Sequence, residues 1–340
     1  MSLVYMQSIV WSKGSSSLEY DYDDIKYGIA FNEFYGKMEN RYVGFGKPLF
    51  PSYVKTGHIE PYKKGNDVLM ITGCSDNHFV SAIPAMFALL NASATVNIAF
   101  IDYGITPKQL KELVVAFEYI HKVHVAMNAS SIIVYRKFDF QKAPSWMNIR
   151  DYNTRGGFAW KVIGYMDLLS EWKAMGGWID AGSLVYDGID VELKYAKMEG
   201  MYVPASSGTV GKWTHQYMID FVESLGLTRK VNLNETNCSS GHFFLDLTNS
   251  TAVNTIFKPF LQCAYTMKCI TPRGTSIKNH RQEQAALTVF LHNANLVYSA
   301  KYKYSHTAHF REERRGKVYL DNYQVMLKEV INRRYGIHVL

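Results

Sequence analysis

At 340 residues the chain is long enough for one large α/β domain or two modest ones. Its 47% hydrophobic and 20% charged content is that of a folded globular protein and excludes wholesale disorder. A net charge of +7 is too small to argue for a nucleic-acid-binding protein and fits an anionic substrate or a weak surface preference.

Residues 1–65 are rich in Tyr, Gly and Ser and show no sustained period; Ser12–Ser17 and Asp21–Asp24 read as loop or tail. They are set apart as an N-terminal extension, with one continuous domain expected over 66–340. The opening MSLVYMQSIVW is too short and interrupted for a signal-peptide core. No run reaches the ~20 apolar residues of a membrane span. A complete chain is thus expected in the cytoplasm, and one that has lost an N-terminal anchor in the Golgi lumen. Two features weigh toward the second place. Sequons occur at Asn91, Asn128, Asn234, Asn237 and Asn249, and Cys263 and Cys269 are spaced to close a small loop. Asn91 falls in a packed helix end, and the compartment stays open.

Regular alternation begins at Asp67. Val68–Thr72 predicts a strand buried on both faces, followed by a polar loop, Gly73–His78, and a helix over Val80–Leu90. Val96–Ile101 is the second strand, closing on Asp102. Thr106 caps the next helix and Pro107 takes its first position, with Leu110, Leu113, Val114 and Phe117 as the apolar face. Ser131–Tyr135 is the third strand, continued by RKFDF. A helix over Phe158–Glu171 leads into GGWIDAGSLVY, Gly176–Tyr186. Beyond it the rhythm loosens: strands are expected at Met201–Pro204, Gly241–Leu247 and Asn295–Ala300, and helices at Thr214–Leu225, His280–Leu291 and Val318–Tyr335. Strands separated by helices at this spacing predict an α/β fold with a doubly wound, parallel sheet.

In such sheets ligands sit at the carboxyl ends of the strands. Asp76, Asp102 and Asp180 all fall there, and each is equally at home in a turn. Converging carboxylates would repel one another unless a cation or donor compensates. SGTVGKWT (Ser207–Thr214) has two residues between its glycines and Trp213 after Lys212, so it is no phosphate loop. His121 and His124 are a weak metal pair. His306 and His309 precede Arg311, Arg314, Arg315 and Lys317, a basic run that suits a diphosphate or a solvated face. In RQEQAAL (Arg281–Leu287) two amides flank Glu283, which suits sugar hydroxyls or a plain helix start.

Taken in order, ITGCSDNHF, IAFIDYGIT, YRKFDF, FAWK, WIDAG, WTHQYM, GHFFLDL and RQEQAAL resemble the GT-A glycosyltransferases, in particular the family 8-like group and a nematode-expanded branch of it. The resemblance covers roughly residues 67–295. It implies a GT-A fold: one Rossmann-like, doubly wound mixed sheet flanked by helices, with a nucleotide-sugar half at 66–190 and an acceptor half at 191–340. It implies sugar transfer from a nucleotide-diphosphate sugar, UDP favoured, to a glycan or glycoprotein hydroxyl, without nucleic acid. By it, Ser75, Asp76, Asn77 and Asp102 contact the nucleoside and Lys161 the donor phosphates or sugar. Glu283 and Gln284 face the reacting centre. Asp180, with His306 or His309, holds a divalent cation, Mn²⁺ or Mg²⁺. The pattern departs at Gly182, which stands where the second aspartate of Asp-x-Asp belongs. That departure keeps open two alternatives: metal-independent donor binding through Lys161 and the Arg311–Lys317 cluster, or a non-catalytic nucleotide-sugar or glycan binding protein.

Overall fold

Four short apolar segments form the frame: β1 (Leu69–Cys74), β2 (Asn97–Asp102), β3 (Ile133–Lys137) and β4 (Met175–Ile179). β1 and β2 are buried at every position, as continuous apolar runs in a parallel sheet require. The computed structural model describes residues 68–93, 96–126, 131–151, 155–185, 189–296 and 307–309. The N-terminal extension, His306, the Arg311–Lys317 cluster and the helix expected over Val318–Tyr335 lie outside these residues.

The central sheet has the order β3-β2-β1-β4-β9-β6, with β6 at Met201–Tyr202 and β9 at His242–Asp246. β1 to β4 run parallel, Cys74 lying opposite Asp102 and Ile71 opposite Trp178. β9 is antiparallel to both its neighbours, so the sheet is mixed, as the resemblance implied, and not wholly parallel as the strand-helix spacing alone predicted. The chain builds outward from β1 to β3 and then returns to lay β4 on the other side of β1. The β1/β4 boundary is therefore the topological switch point, where doubly wound folds open a crevice.

Helices cover both faces. α1 (Phe79–Ala92), α2 (Pro107–Ala126) and, further on, α4 (Asp190–Glu199) pack on one, around Phe79, Phe100, Phe117 and Phe244. α3 (Ala159–Trp172) lies on the other with Leu169, Trp178, Phe243, Phe260 and Phe290. β9 alternates accordingly, Phe243 and Leu245 to one core and Phe244 to the other. Thr106 and Gln109 form a reciprocal capping pair at the start of α2 (2.8 and 3.2 Å), in line with the expected Thr106 cap.

Four short strands lie off the main sheet. β5 (Ser183–Val185) pairs with β10 (Thr307–His309), and β7 (Ala205–Thr209) with β8 (Thr236–Cys238). α5 (Val210–Trp213) and α6 (Gln216–Ser224) follow β7. α6 starts two residues later than expected because His215 caps it, its Nδ1 accepting from the Tyr217 amide at 3.2 Å. α7 (Ser250–Ala252) widens through a π turn (Val253–Phe257) into α8 (Lys258–Ala264). The Cys263–Cys269 disulfide then ties α8 to α9 (Met267–Ile270), closing the small loop that the spacing suggested. α10 (Gln282–Asn293) ends the buried core. The strand expected from Asn295 does not begin there, since Asn295 occupies a left-handed turn with φ 56°; residues 297–300 are outside the described set. Of the sequons, Asn237 is fully buried, Asn249 caps α7 with its side chain, and Asn234 is exposed in a turn. Among the described residues no helix is long and apolar enough to cross a membrane.

Candidate functional site

Residues two apart on a strand share a face, so Trp178 carries its indole to the same side as Asp180, just past the end of β4. The Trp178 Nε1–H donates to Asp180 Oδ1 at 2.6 Å. On that side α3 brings Lys161 in its first turn. The Lys161 side chain is 6% exposed, and its Nζ lies 3.3 Å from Asp180 Oδ1 and 2.9 Å from Glu283 Oε1. It also donates to the Ser240 carbonyl at 3.5 Å, and the Phe158 and Trp178 rings stand 6.0 and 5.8 Å away. Burial works against the Lys161 charge. Asp180 and then Glu283 outweigh it and hold the lysine above its ordinary pKa.

Glu283 sits in the first turn of α10, also 6% exposed, and accepts from Ser240 Oγ at 2.8 Å. Asp180 anchors its backbone on the residue before β9, its N–H donating to the Gly241 carbonyl at 2.8 Å. A side chain at 241 would come within 2.8 Å of Asp180 Oδ2, so this carboxylate needs glycine beneath it.

Strained backbone delivers two of these groups. Arg155, Gly156, Gly157 and Phe158 form a left-handed turn with φ of 47°, 60°, 58° and 56°, which feeds straight into α3. Cβ atoms on the two glycines would collide with Met147 and with Ile270 and Thr271. Gln282, at φ 50°, sets the direction of α10 just before Glu283. Left-handed non-glycine residues cost roughly 1–3 kcal/mol and cluster where function holds them. Behind Gln282, the buried His280 donates from Nε2 to the Ile270 carbonyl (2.9 Å) and accepts the His215 amide at Nδ1 (3.2 Å). Burial pushes its pKa down to about 4, so the ring is neutral and its tautomer defined.

The structure thus brings Lys161, Asp180 and Glu283 together. Gln284 follows, its Nε2 buried and without a hydrogen-bond partner among the described residues. Ser75, Asp76 and Asn77 lie at the end of β1, on the other side of the switch point. Asp76 and Asn77 are exposed; Ser75 Oγ donates to Asn77 Oδ1 at 2.6 Å, and Asp76 Oδ1 accepts the Asn77 amide at 3.0 Å. Asp102 turns into its own loop. Its Oδ1 accepts the Gly104 and Ile105 amides (2.6 and 2.7 Å) and its Oδ2 the Tyr135 hydroxyl (2.6 Å). β10 sets the His309 backbone opposite Ser183, three residues past Asp180. His124 is buried in α2 and kept neutral, its pKa lowered to about 4 by burial and then by His121. Among the described residues no three His, Cys, Asp or Glu side chains converge as a metal cage. Trp178, Ser240 and Gly241 were not singled out in the sequence. Period-two spacing before Asp180 was a signal for Trp178; Ser240 and Gly241 reach the site only through β9's place beside β4.

No protein-family model matches the chain, and no curated protein does. Some solved structures align with it. The WbbM bifunctional glycosyltransferase shares 13% identity over 70% of this chain at a TM-score of 0.40, and the chain spans 39% of its length. The galactosyltransferase LgtC, in complex with donor and acceptor sugar analogs, shares 12% identity over 77% of this chain and 95% of its own, at 0.42. The mannosyltransferase Ktr4p from S. cerevisiae, in complex with GDP, shares 10% over 84% and 81%, at 0.43.

Proposed function

We propose that the chain is a glycosyltransferase of GT-A type that moves a sugar from a nucleotide-diphosphate sugar, UDP favoured, to the hydroxyl of a glycan or glycoprotein. One observation carries this reading: a buried ammonium, Lys161, held between Asp180 and Glu283 at the carboxyl end of β4, beside the switch point. In this reading residues 66–190 serve the donor and 191–340 the acceptor. Ser75, Asp76 and Asn77 offer their polar atoms to the nucleoside. Asp102 holds the neighbouring loop and offers only its remaining lone pairs. The Lys161 ammonium faces the departing diphosphate and stabilises the charge that develops there. Glu283, kept in place by Ser240, and Gln284, whose amide N–H meets no acceptor among the described residues, face the sugar and steady positive charge at the anomeric carbon.

A divalent cation fits the donor chemistry with Asp180 as its protein carboxylate, because Mg²⁺ is commonly held by one or two carboxylates together with substrate phosphates and water. His309 is the candidate second ligand, brought beside the Asp180 loop by the β10–β5 pairing. Such an ion supplies Lewis-acid neutralisation of the diphosphate.

Gly182, where a second aspartate is expected, favours the alternative of a nucleotide-sugar or glycan binding protein without turnover. A thermal-shift screen of UDP- and GDP-sugars with and without Mn²⁺, followed by donor hydrolysis, separates the two. Hydrolysis that disappears in Asp180→Asn and Glu283→Gln supports the transferase. Tight donor binding without turnover supports the binding protein, and a flat screen refutes both.

A further inference from the structure

A second polar cluster lies on the other side of Asp180 from the nucleotide loop. It is built on the β7–β8 pair, whose strand β7 is largely exposed. Arg281, two residues before Glu283, donates from Nη1 to Ser206 Oγ at 2.9 Å and from Nη2 to Ser207 Oγ at 3.4 Å. Its guanidinium stacks 4.1 Å from the centre of the Trp213 ring, and Lys212 Nζ stands 5.1 Å from the same ring. Trp213 is itself fixed, its indole N–H donating to the Ser207 carbonyl (2.8 Å) and its carbonyl accepting the Arg281 amide (2.9 Å).

This arrangement aims the arginine without neutralising it. Among the described residues Arg281 meets hydroxyls and an aromatic face, and no carboxylate. Part burial lowers its pKa, but a guanidinium stays charged at any physiological pH. Among the described residues two of its five N–H groups find a partner, and a planar fork of this kind matches a carboxylate with two parallel hydrogen bonds. Lys212 adds a second positive charge. Sheet order decides which substrate the fork addresses. On the glycosyltransferase reading the donor enters on the β1 side of β4, where doubly wound sheets open their crevice, whereas the chain leads from Asp180 through Gly241, β8 and β7 to the partners of Arg281, on the β9 side.

We propose that Arg281, aimed by Ser206, Ser207 and Trp213 and supported by Lys212, binds a sugar carboxylate on the acceptor and selects acidic glycans; the assignment to an acceptor rests on the glycosyltransferase reading above. The test is calorimetric titration of the full chain with p-nitrophenyl β-glucuronide and p-nitrophenyl β-glucoside, which differ only in the carboxylate. UDP is titrated in parallel. The wild type is expected to bind the glucuronide about tenfold more tightly or better, the scale of one hydrogen bond to a charged group. Arg281→Gln should bring the glucuronide down to the glucoside level, leaving glucoside and UDP affinities in place. Arg281→Lys should recover only part of the preference, since it restores charge without the fork. If Arg281→Gln does not fold, Ser206→Ala/Ser207→Ala carries the test, with a smaller loss for the glucuronide alone. Equal binding of the two glycosides by the wild type overturns the proposal. So does an Arg281→Gln protein that loses both equally, or that loses UDP instead. Failure of the wild type to bind UDP counts against the glycosyltransferase reading, while a glucuronide preference lost in Arg281→Gln still supports the carboxylate site.

Discussion

Replacing Lys161 by Met keeps the apolar stem and removes the ammonium that Glu283 and Asp180 share. The two acids suffer unequally. Among the described residues, Glu283 is 6% exposed and would keep only the Ser240 hydroxyl, whereas Asp180 is 28% exposed and keeps the Trp178 indole. Most of the penalty therefore falls on Glu283. Stranding one partner of a buried pair costs about 3–5 kcal/mol, a large share of the ~5–15 kcal/mol that holds a typical domain folded. Equilibrium urea unfolding at pH 7.5 should show a loss of that size.

The pH dependence follows from which state prefers the proton. A stranded carboxyl is better neutral when folded, so the deficit of Lys161→Met relative to wild type is greatest at pH 7.5. It shrinks as the pH falls toward ~4.3, the ordinary glutamate range. Lys161→Met/Glu283→Gln removes the stranded charge and keeps the bond with Ser240, and should regain about 2 kcal/mol over the single variant at pH 7.5. A single variant that loses under ~1 kcal/mol, or a double variant that is the sum of its parts, would refute the assignment of Lys161 as the charge that makes Glu283 tolerable.

Gly157→Ala must hold a side chain at φ +58° against Ile270 and Thr271. At about 1–2 kcal/mol for the left-handed backbone and 1–3 for overpacking, a loss near 3 kcal/mol is expected in denaturant unfolding, and a neutral result removes the argument that this turn is tightly determined. Gly241→Ala puts its Cβ 2.8 Å from Asp180 Oδ2 and so displaces the carboxylate. It should abolish the Mn²⁺-dependent part of the thermal shift given by UDP-sugars while moving the apo Tm by only a few degrees; an unchanged response to Mn²⁺ would show that Asp180 is not needed for the ion. His124 and His280, both held near pKa 4 by burial against 6.5 unfolded, make the unfolded state the better proton binder between those values. Stability should therefore fall as the pH drops from 6.5 toward 4, by about 2 kcal/mol per histidine at pH 5. His280→Gln should flatten that slope by its share, and an unfolding free energy constant over the window would contradict both burials.

The parallel core was legible because its strands are short apolar runs bounded by Gly, Asp and Pro, and residues 69–102 fold close to that expectation. Strand order was not legible. Nothing local in Gly176–Ile179 says that it pairs with β1 on one edge and with an antiparallel His242–Asp246 on the other. Ser240 and Gly241 join the site only through that order. Cys263 and Cys269 could be read from spacing alone because the loop they close is local. Asp102 shows the opposite limit. Its position at a strand end suggested a ligand contact, but the following Tyr-Gly was an equally good sign of an aspartate that accepts the next turn's amides, as it does. The motif order placed Lys161, Asp180 and Glu283 in one site. That the lysine lies between the two acids depends on how α3 and α10 meet over β4, which no short motif contains.

The charges of that trio carry a consequence for the donor. Among the described residues, one ammonium stands between two carboxylates at the carboxyl end of β4, so the trio itself carries a formal charge of −1. On the proposed reading a nucleotide diphosphate entering there meets the like charge of the trio. A divalent cation on Asp180 reverses the sign of the site, and removing the Asp180 charge brings it to neutral. UDP affinity of the wild type is therefore expected to rise at least tenfold with Mn²⁺ at fixed ionic strength. Asp180→Asn, neutral at the same position, should bind UDP in the absence of metal at least as well as wild type and gain little from Mn²⁺. Calorimetry of both proteins with and without the ion decides the point. If wild type binds UDP equally well without metal, the uncompensated charge is neutralised by other cations of the chain, and the Arg311–Lys317 cluster becomes the segment to substitute.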